Sequence, residues 1–250
     1  MTNLLEIDRV SRRFGGLTAV DTVTAQIRKG ELVGLIGPNG AGKTTLFNLI
    51  SGFTPPTAGE VRFKQKRISG LRPYRIARAG IGRTFQNLRI FPNMSVFDNV
   101  TIGAIGMLRY GAVESLFRRG LADRISERAW SALKRVSLTT HADELAANLS
   151  YGRRKYLEIA RALAMDPELL ILDEPAAGLN DSETRELADF IRGLHADGLT
   201  VMLVEHDMGL VLGICERVVV LASGRKIADG TPDAVRRDEA VLSAYLGVEE

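Results

Sequence analysis

The sequence predicts an α/β fold with a helical segment inserted near its centre. Three observations point there. Short apolar runs at 31–36, 169–172, 200–204 and 218–221 have the length of strands buried on both faces. Stretches with apolar residues at helical spacing lie around and between them. From Ser95 to about Val136, by contrast, the pattern is mostly helical.

Taken in order, Leu5, Ile7 and, out of phase, Val10 suggest a short first strand. Val23, Ala25 and Ile27 alternate with polar neighbours as a half-buried strand does. Glu31–Ile36 is a near-continuous apolar run ended by Gly37, and Thr44–Ser51 follows with Leu46, Leu49 and Ile50 at helical spacing. Ser95–Tyr110 and Ala122–Val136 read as helices, the second with Ile125, Ala129, Ala132, Leu133 and Val136 on one face. Gly111–Gly120 between them is loop-like or a broken helix. The α/β pattern then returns: helix at Arg153–Ala164, strand at Leu169–Leu172, helix at Ser182–His195, strands at Thr200–Val204 and Val218–Leu221. A helical tail over Pro232–Leu246 closes the chain.

Composition narrows the function classes. Thirty-three basic against 30 acidic residues leave +3, too little for a nucleic-acid footprint. The densest apolar stretch, Val218–Ala222, is far too short to span a bilayer. The start MTNLLEIDRV lacks the basic leader and apolar core of a signal peptide. One cysteine, Cys215, excludes an internal disulfide and reads as a small buried apolar residue. A soluble chain in a reducing cytoplasm is expected.

Gly37, Pro38, Asn39, Gly40, Ala41, Gly42, Lys43 and Thr44 match G-x-x-x-x-G-K-[ST] in full, between a strand and a helix. Glycines let backbone N–H groups turn inward around phosphate oxygens, and a helix start adds partial positive charge. Lys43 can supply a full charge to the β/γ-phosphates, and the Thr44 hydroxyl can ligate Mg²⁺. Asp173 ends the run Leu169–Leu172 and Glu174 follows. A carboxylate at that end of a strand can hold Mg²⁺, which leaves Glu174 as general base for an attacking water. Alone, the pair would read as two solvated charges opening a turn at Pro175; beside the Lys43 loop it reads as an NTP-hydrolysing site.

Leu149-Ser150-Tyr151-Gly152-Arg153 ahead of the helix RRKYLEIARAL resembles the LSGGQ signature of ATP-binding cassette (ABC) ATPases. The likeness covers essentially the whole chain. It implies one cassette over 1–250: a RecA-like α/β core with an N-terminal antiparallel β subdomain in 1–88 and 160–250, and a helical, signature-bearing subdomain at about 89–159. It implies that Phe14 stacks on adenine and that residues Gly37 to Thr44, with Thr45, bind ATP. Gln86 in RTFQN is similar to the Q-loop glutamine, which joins Thr44 and Asp173 at the metal. Leu179 and Asn180 resemble the D-loop, and His206 in VEHD the switch histidine that acts with Glu174. Ser150, Tyr151 and Gly152 would act on ATP held by a partner subunit, so a complete site needs two cassettes head to tail. Tyr151 departs from the first signature glycine, Arg153 from the glutamine and Asn180 from the common aspartate.

FGGLTAVD, GRTFQNLRIFPNMSVFDNV, LSYG, LDEPAAGLN, VEHDM and AYLG narrow the likeness to ATPase subunits of branched-chain amino-acid importers, specifically the larger of their two cassette types. Implied partners are a second ABC ATPase subunit (a related chain or a second copy), two transmembrane permease subunits and an extracytoplasmic substrate-binding protein. That places the chain on the inner face of the cell membrane, with ATP and Mg²⁺ bound and no nucleic acid. The segment from Gln86 to about Tyr110, with Phe91, Met94, Val96 and Phe97, would receive a cytoplasmic helix of a permease. Urea, amide or other amino-acid importers and lipid or lipopolysaccharide exporters share much of this pattern. A soluble ABC ATPase acting on DNA or ribosomes is the rival of another class; its usual coiled-coil insertion or second cassette is not in evidence, since the sequence has no sustained heptads and one phosphate loop.

Overall fold

The computed structural model describes residues 2–86, 88–106 and 120–246. The chain begins with two long antiparallel strands, β1 (Asn3–Phe14) and β2 (Leu17–Arg28). Val10 is out of phase with Ile7, yet both are buried. Arg9 between them takes a left-handed backbone (φ 46°) at a register shift. Such a bulge inserts a residue and turns the following side chains to the other face.

β3 (Leu32–Ile36) is buried throughout and leads through the phosphate loop into α1 (Lys43–Ile50). Next come β4 (Ala58–Phe63), β5 (Lys66–Arg67), α2 (Pro73–Ala79) and β6 (Ile81–Arg83). Periodicity did not anticipate these four, because the strands are short and carry Glu60, Arg62, Lys66 and Arg67 on their open side. β4 pairs with β1, and β5 with β4, completing a four-stranded antiparallel sheet in the order β2-β1-β4-β5.

α3 (Val96–Gly106), α4 (Leu121–Arg135) and α5 (Tyr151–Leu163) pack on one another. The helix expected to reach Tyr110 is described as far as Gly106, and most of the expected Gly111–Gly120 break lies outside the described residues. Phe97 stacks on Trp130 at 4.9 Å, tying α3 to α4. α5 also touches β6 and β7 (Leu169–Asp173), so one helix joins the helical group to the sheet.

The rest alternates: α6 (Asp181–Ala196), β8 (Thr200–Val204), α7 (Met208–Ile214), β9 (Arg217–Ala222) and β10 (Arg225–Gly230). The tail is helical as expected, in two pieces, α8 (Pro232–Arg236) and α9 (Glu239–Leu246). Asp238 breaks it, accepting hydrogen bonds from the N–H groups of Ala240 and Val241 as an N-terminal cap does. Among the described residues no helix is long and apolar enough to cross a membrane.

The second sheet has six strands in the order β10-β9-β3-β8-β7-β6, with β10 antiparallel to β9 and the others parallel. Alternate residues of β3 feed two cores. Leu32 and Ile36 join the one with α5 and α6, and Val33 and Leu35 join the one containing Phe47 of α1 and the antiparallel sheet. Burying each such side chain contributes roughly 1.5–3 kcal/mol. Both faces of β3 are therefore committed, and its C-terminal end is held firmly where the phosphate loop starts. Cys215 is buried as expected, and its burial pushes the thiol up to about 12.

Candidate active site

Strand order brings the catalytic candidates together. β8 lies between β3 and β7, with Leu35 paired to Val204 and Val204 to Asp173. The loops leaving the C-terminal ends of these three strands are therefore neighbours, the usual place for a ligand in a parallel sheet. They carry the phosphate loop, Glu174, and the pair Glu205–His206. Backbone bonds lock this edge: Glu174 N–H donates to Val204 O (2.8 Å) and Glu205 N–H to Leu35 O (3.2 Å).

In the phosphate loop, Gly42 is left-handed (φ 97°), and a Cβ there would sit 2.4 Å from the Ala19 carbonyl oxygen of β2. Only glycine fits. No side chain caps α1, which leaves its first N–H groups for a ligand. Lys43 is buried, and its ammonium donates to the carbonyls of Gly37 and Pro38 (3.1 Å to the latter). Desolvation lowers its pKa, opposed by the charges of Glu174 and Glu205. Thr44 is exposed and Thr45 half-buried at the same helix start.

Asp173 is 4% exposed at the end of β7. Its own N–H donates to Thr84 Oγ1 (3.1 Å). Burial raises its carboxyl to about 6; Arg83 and Lys155 pull it down and Glu174 pushes it up. Arg83 Nη2 lies 3.6 Å from Asp173, while Nη1 donates to Asn48 Oδ1 of α1 (2.9 Å) and to Ser51 Oγ just after that helix. The guanidinium is packed among the rings of Phe47, Phe53 and Phe85 at 3.9, 4.8 and 4.7 Å. Burial lowers its pKa to about 10, with Asp173 acting in the opposite direction. This one cation ties the phosphate-loop helix to the buried Asp173 carboxylate.

Glu174 is half-buried and left-handed (φ 47°), a backbone state that costs a non-glycine residue energy. Gln86 meets it, the amide Nε2 donating to Glu174 Oε2 at 2.7 Å. The strand before Gln86 is fixed by Glu158 of α5, whose Oε1 accepts from Phe85 N–H (3.1 Å). Burial raises the Glu158 pKa, opposed by the backbone donors of Phe85 and Arg89. Glu205 is fully buried and accepts from Ala176 N–H (2.9 Å) and His206 N–H (3.3 Å). Its pKa is raised by burial, against those two donors and His206. His206 is exposed, with Nδ1 3.7 Å from Glu205. A cleft of about 540 Å³ opens between Ala177–Leu179 and His206.

The remaining candidates lie around this centre. Phe14 is 47% exposed at the end of β1, with the Arg12 guanidinium 4.5 Å above its ring. Ser150 caps α5, accepting from Arg153 N–H, and Gly152 is buried against Glu183 and Leu179. Tyr151 turns towards Ala177 and Gly178 of its own chain. Asn180 caps α6 by accepting from Ser182 and Glu183 N–H, and Glu183 returns a bond to Asn180 N–H. Leu179 packs on the core.

Arg83, Lys155, Glu158 and Glu205 were not singled out in the sequence. A signal existed for two of them: Lys155 and Glu158 fall among Gly152, Leu157 and Ile159 on the inward part of α5, where an amphipathic helix should be apolar. Arg83 and Glu205 end short apolar strands, where a charge looks like any loop start.

Known proteins share the sequence and the fold. Residues 20–177, more than half of the chain, match the ABC transporter family, and residues 225–250 match the branched-chain amino acid ATP-binding cassette transporter family. The chain is 44% identical to the high-affinity branched-chain amino acid transport ATP-binding protein LivG of Salmonella typhimurium, over 98% of each chain. It is 43% identical, with the same coverage, to BraF of Pseudomonas aeruginosa, a protein of the same description. A solved structure, the ADP conformation of MJ1267, an ATP-binding cassette of an ABC transporter, superposes with a TM-score of 0.87 at 31% identity, covering 99% of this chain and 100% of that one. The chain belongs to the ABC transporter family, as one of its ATP-hydrolysing cassettes.

Proposed function

We propose that this cassette drives uptake of branched-chain amino acids, as the ATP-hydrolysing subunit of an importer. The observation that supports the reading is its similarity, along nearly the whole chain, to two proteins named for that transport. It would act as a head-to-tail pair with a related cassette or a second copy. Two transmembrane permease subunits would complete the assembly, with an extracytoplasmic protein to deliver substrate. The cassette would then sit on the inner face of the membrane.

In this reading the phosphate loop and Lys43 hold the ATP phosphates, and Phe14 stacks on adenine. Gln86 and Glu174 orient a water in line with the γ-phosphorus. Glu174 takes a proton from that water as its oxygen attacks, ADP departs, and inorganic phosphate is left. His206 donates to the γ-phosphate and is held in place by Glu205. Ser150 and Gly152 face the γ-phosphate held by the other subunit, so neither cassette hydrolyses efficiently alone.

Thr44, Asp173 and Gln86 offer the hard oxygen donors that suit Mg²⁺. Among the described residues no group of three or more His, Cys, Asp or Glu could hold a metal without help. The ion would therefore share its coordination with ATP phosphates, the common arrangement for Mg²⁺. The buried Asp173, raised to about 6, gains from an added cation. When bound, Mg²⁺ supplies neutralisation of phosphate charge during transfer.

A pH dependence follows. The folded Asp173 holds its proton up to about 6, against 3.8 for the free group. Between these values the folded state binds more protons than the unfolded one, so this group favours folding more as pH falls through 6. Magnesium competes with that proton. The apparent Mg²⁺ affinity measured by ATPase titration should drop as pH falls through about 6, by up to about tenfold per unit more than protonation of the ATP phosphate alone causes. The same affinity at pH 5 and pH 7.5 would contradict the role of Asp173.

The experiment that tests the function is ATP-driven uptake by the chain assembled with its permease subunits and binding protein.

A further inference from the structure

Tyr151 has no clear place in the reading above, since the turn that should meet a second subunit's phosphate ordinarily has glycine there. Its side chain is engaged within its own chain. The hydroxyl donates to the Ala177 carbonyl at 3.3 Å. The ring covers Gly178, where a Cβ would lie 2.9 Å from Tyr151 Cε1. Gly178 is also left-handed (φ 80°), so two separate constraints demand glycine at that point.

One helical turn further along α5, Lys155 is buried and approaches the same ring, with Nζ 5.6 Å from its centroid. That ammonium donates to the Glu174 carbonyl at 3.3 Å. Between Tyr151 and Lys155, Gly152 lies so close to Glu183 that a Cβ would be 3.0 Å from its carboxylate. Glu183 in turn accepts from Asn180 N–H. The first two turns of α5 thus grip the chain from Glu174 to Glu183 at its start, middle and end. The grip spans the residues between the hydrolytic carboxylate and the start of α6.

We infer that Tyr151 is a positioning residue that fastens the Ala177–Gly178 segment to the first turn of α5, so that a second subunit's nucleotide meeting this turn adjusts the Glu174 of the same chain. The two composite sites are then joined through one helical turn. The inference rests on the proposed role of Ser150 and Gly152 at the partner's phosphate. A glycine at 151 would remove the middle one of these three contacts and leave Ala177–Gly178 held only through its flanks.

Tyr151→Phe keeps the ring and removes the donor. Two measurements test it: amide exchange at residues 177–179 of the full chain without nucleotide, and ATP turnover by the assembled transporter. The expected results are exchange about five- to tenfold faster and a similar drop in kcat, the effect of losing one neutral hydrogen bond. KM for ATP should stay within about twofold, because the tyrosine does not hold the chain's own nucleotide. Unchanged exchange overturns the fastening, and faster exchange with unchanged kcat overturns the transmission. Glu174→Gln, run in the same assay, separates this from the underlying reading. If that variant turns over normally, the hydrolytic assignment fails, whereas the exchange comparison still judges Tyr151.

Discussion

Glu174→Gln should lower steady-state ATP turnover about a thousandfold while leaving ATP binding within a few-fold of the native chain. General-base catalysis contributes ~10²–10⁴ in rate, and an amide cannot take the proton that the attacking water must lose. The substitution keeps the side chain's size. It also preserves the structural features around position 174: the left-handed backbone, the bond from Glu174 N–H to Val204 O and the bond from Lys155 to the Glu174 carbonyl. Gln86 can still donate, to the new amide oxygen, where it now meets a carboxylate oxygen at 2.7 Å. Binding and shape therefore survive and chemistry does not. A further consequence is that ATP-bound pairs of cassettes should accumulate, visible by gel filtration in MgATP. Turnover within tenfold of the native chain would remove Glu174 from the mechanism.

The second large effect is on binding. Lys43→Ala should weaken ATP affinity about a hundredfold or more, since deleting one partner of a desolvated charge contact costs ~2–5 kcal/mol. The buried ammonium contributes little to folding by comparison. Its lowered pKa means that burial disfavours its charge, and the charges of Glu174 and Glu205 only partly offset that. The nucleotide-free variant should melt within about 3 °C of the native chain, a shift near 1 kcal/mol for a protein of this size. Isothermal titration and thermal melting together check both halves. Unaltered ATP affinity would contradict the assignment of the phosphate loop.

Much of this architecture was legible in residue patterns. Leu169–Leu172, Thr200–Val204 and Val218–Leu221 announce themselves because a strand covered on both faces has no polar side to show. The phosphate loop is legible for a different reason: close backbone approach leaves glycine no substitute, as Gly42 against Ala19 makes plain. Short strands with charged residues offer no such signal. β4 sets Val61 and Phe63 among Glu60 and Arg62, β5 is only Lys66–Arg67, and β1, the other partner of β4, is more than 40 residues away, as the pairing of Leu5 with Phe63 shows. The tail is legible as helical over Pro232–Leu246, but the break within it is not, because one capping side chain, Asp238, imposes it.

The site divides in the same way. Residues proposed to touch ATP can be named from motif chemistry. Those that hold them are charges whose burial depends on tertiary packing. Arg83 looks like an ordinary strand-end arginine until Phe47, Phe53 and Phe85 close around it and Asp173 lies 3.6 Å away. Glu205 looks like a surface carboxylate until β8 and the Ala176 N–H take it out of water. The left-handed Glu174 has no sequence signature, since glutamate is not a residue that favours that state.

The proposed coupling is ATP hydrolysis by this cassette driving amino-acid import. Its most direct test is uptake of labelled leucine into proteoliposomes that hold the permease subunits and this cassette with its partner, with binding protein supplied on the face opposite the cassettes. Uptake that requires MgATP on the cassette face, and that is lost with Glu174→Gln, is the predicted result. ATP hydrolysis by the assembled complex without any leucine, isoleucine or valine uptake would contradict it.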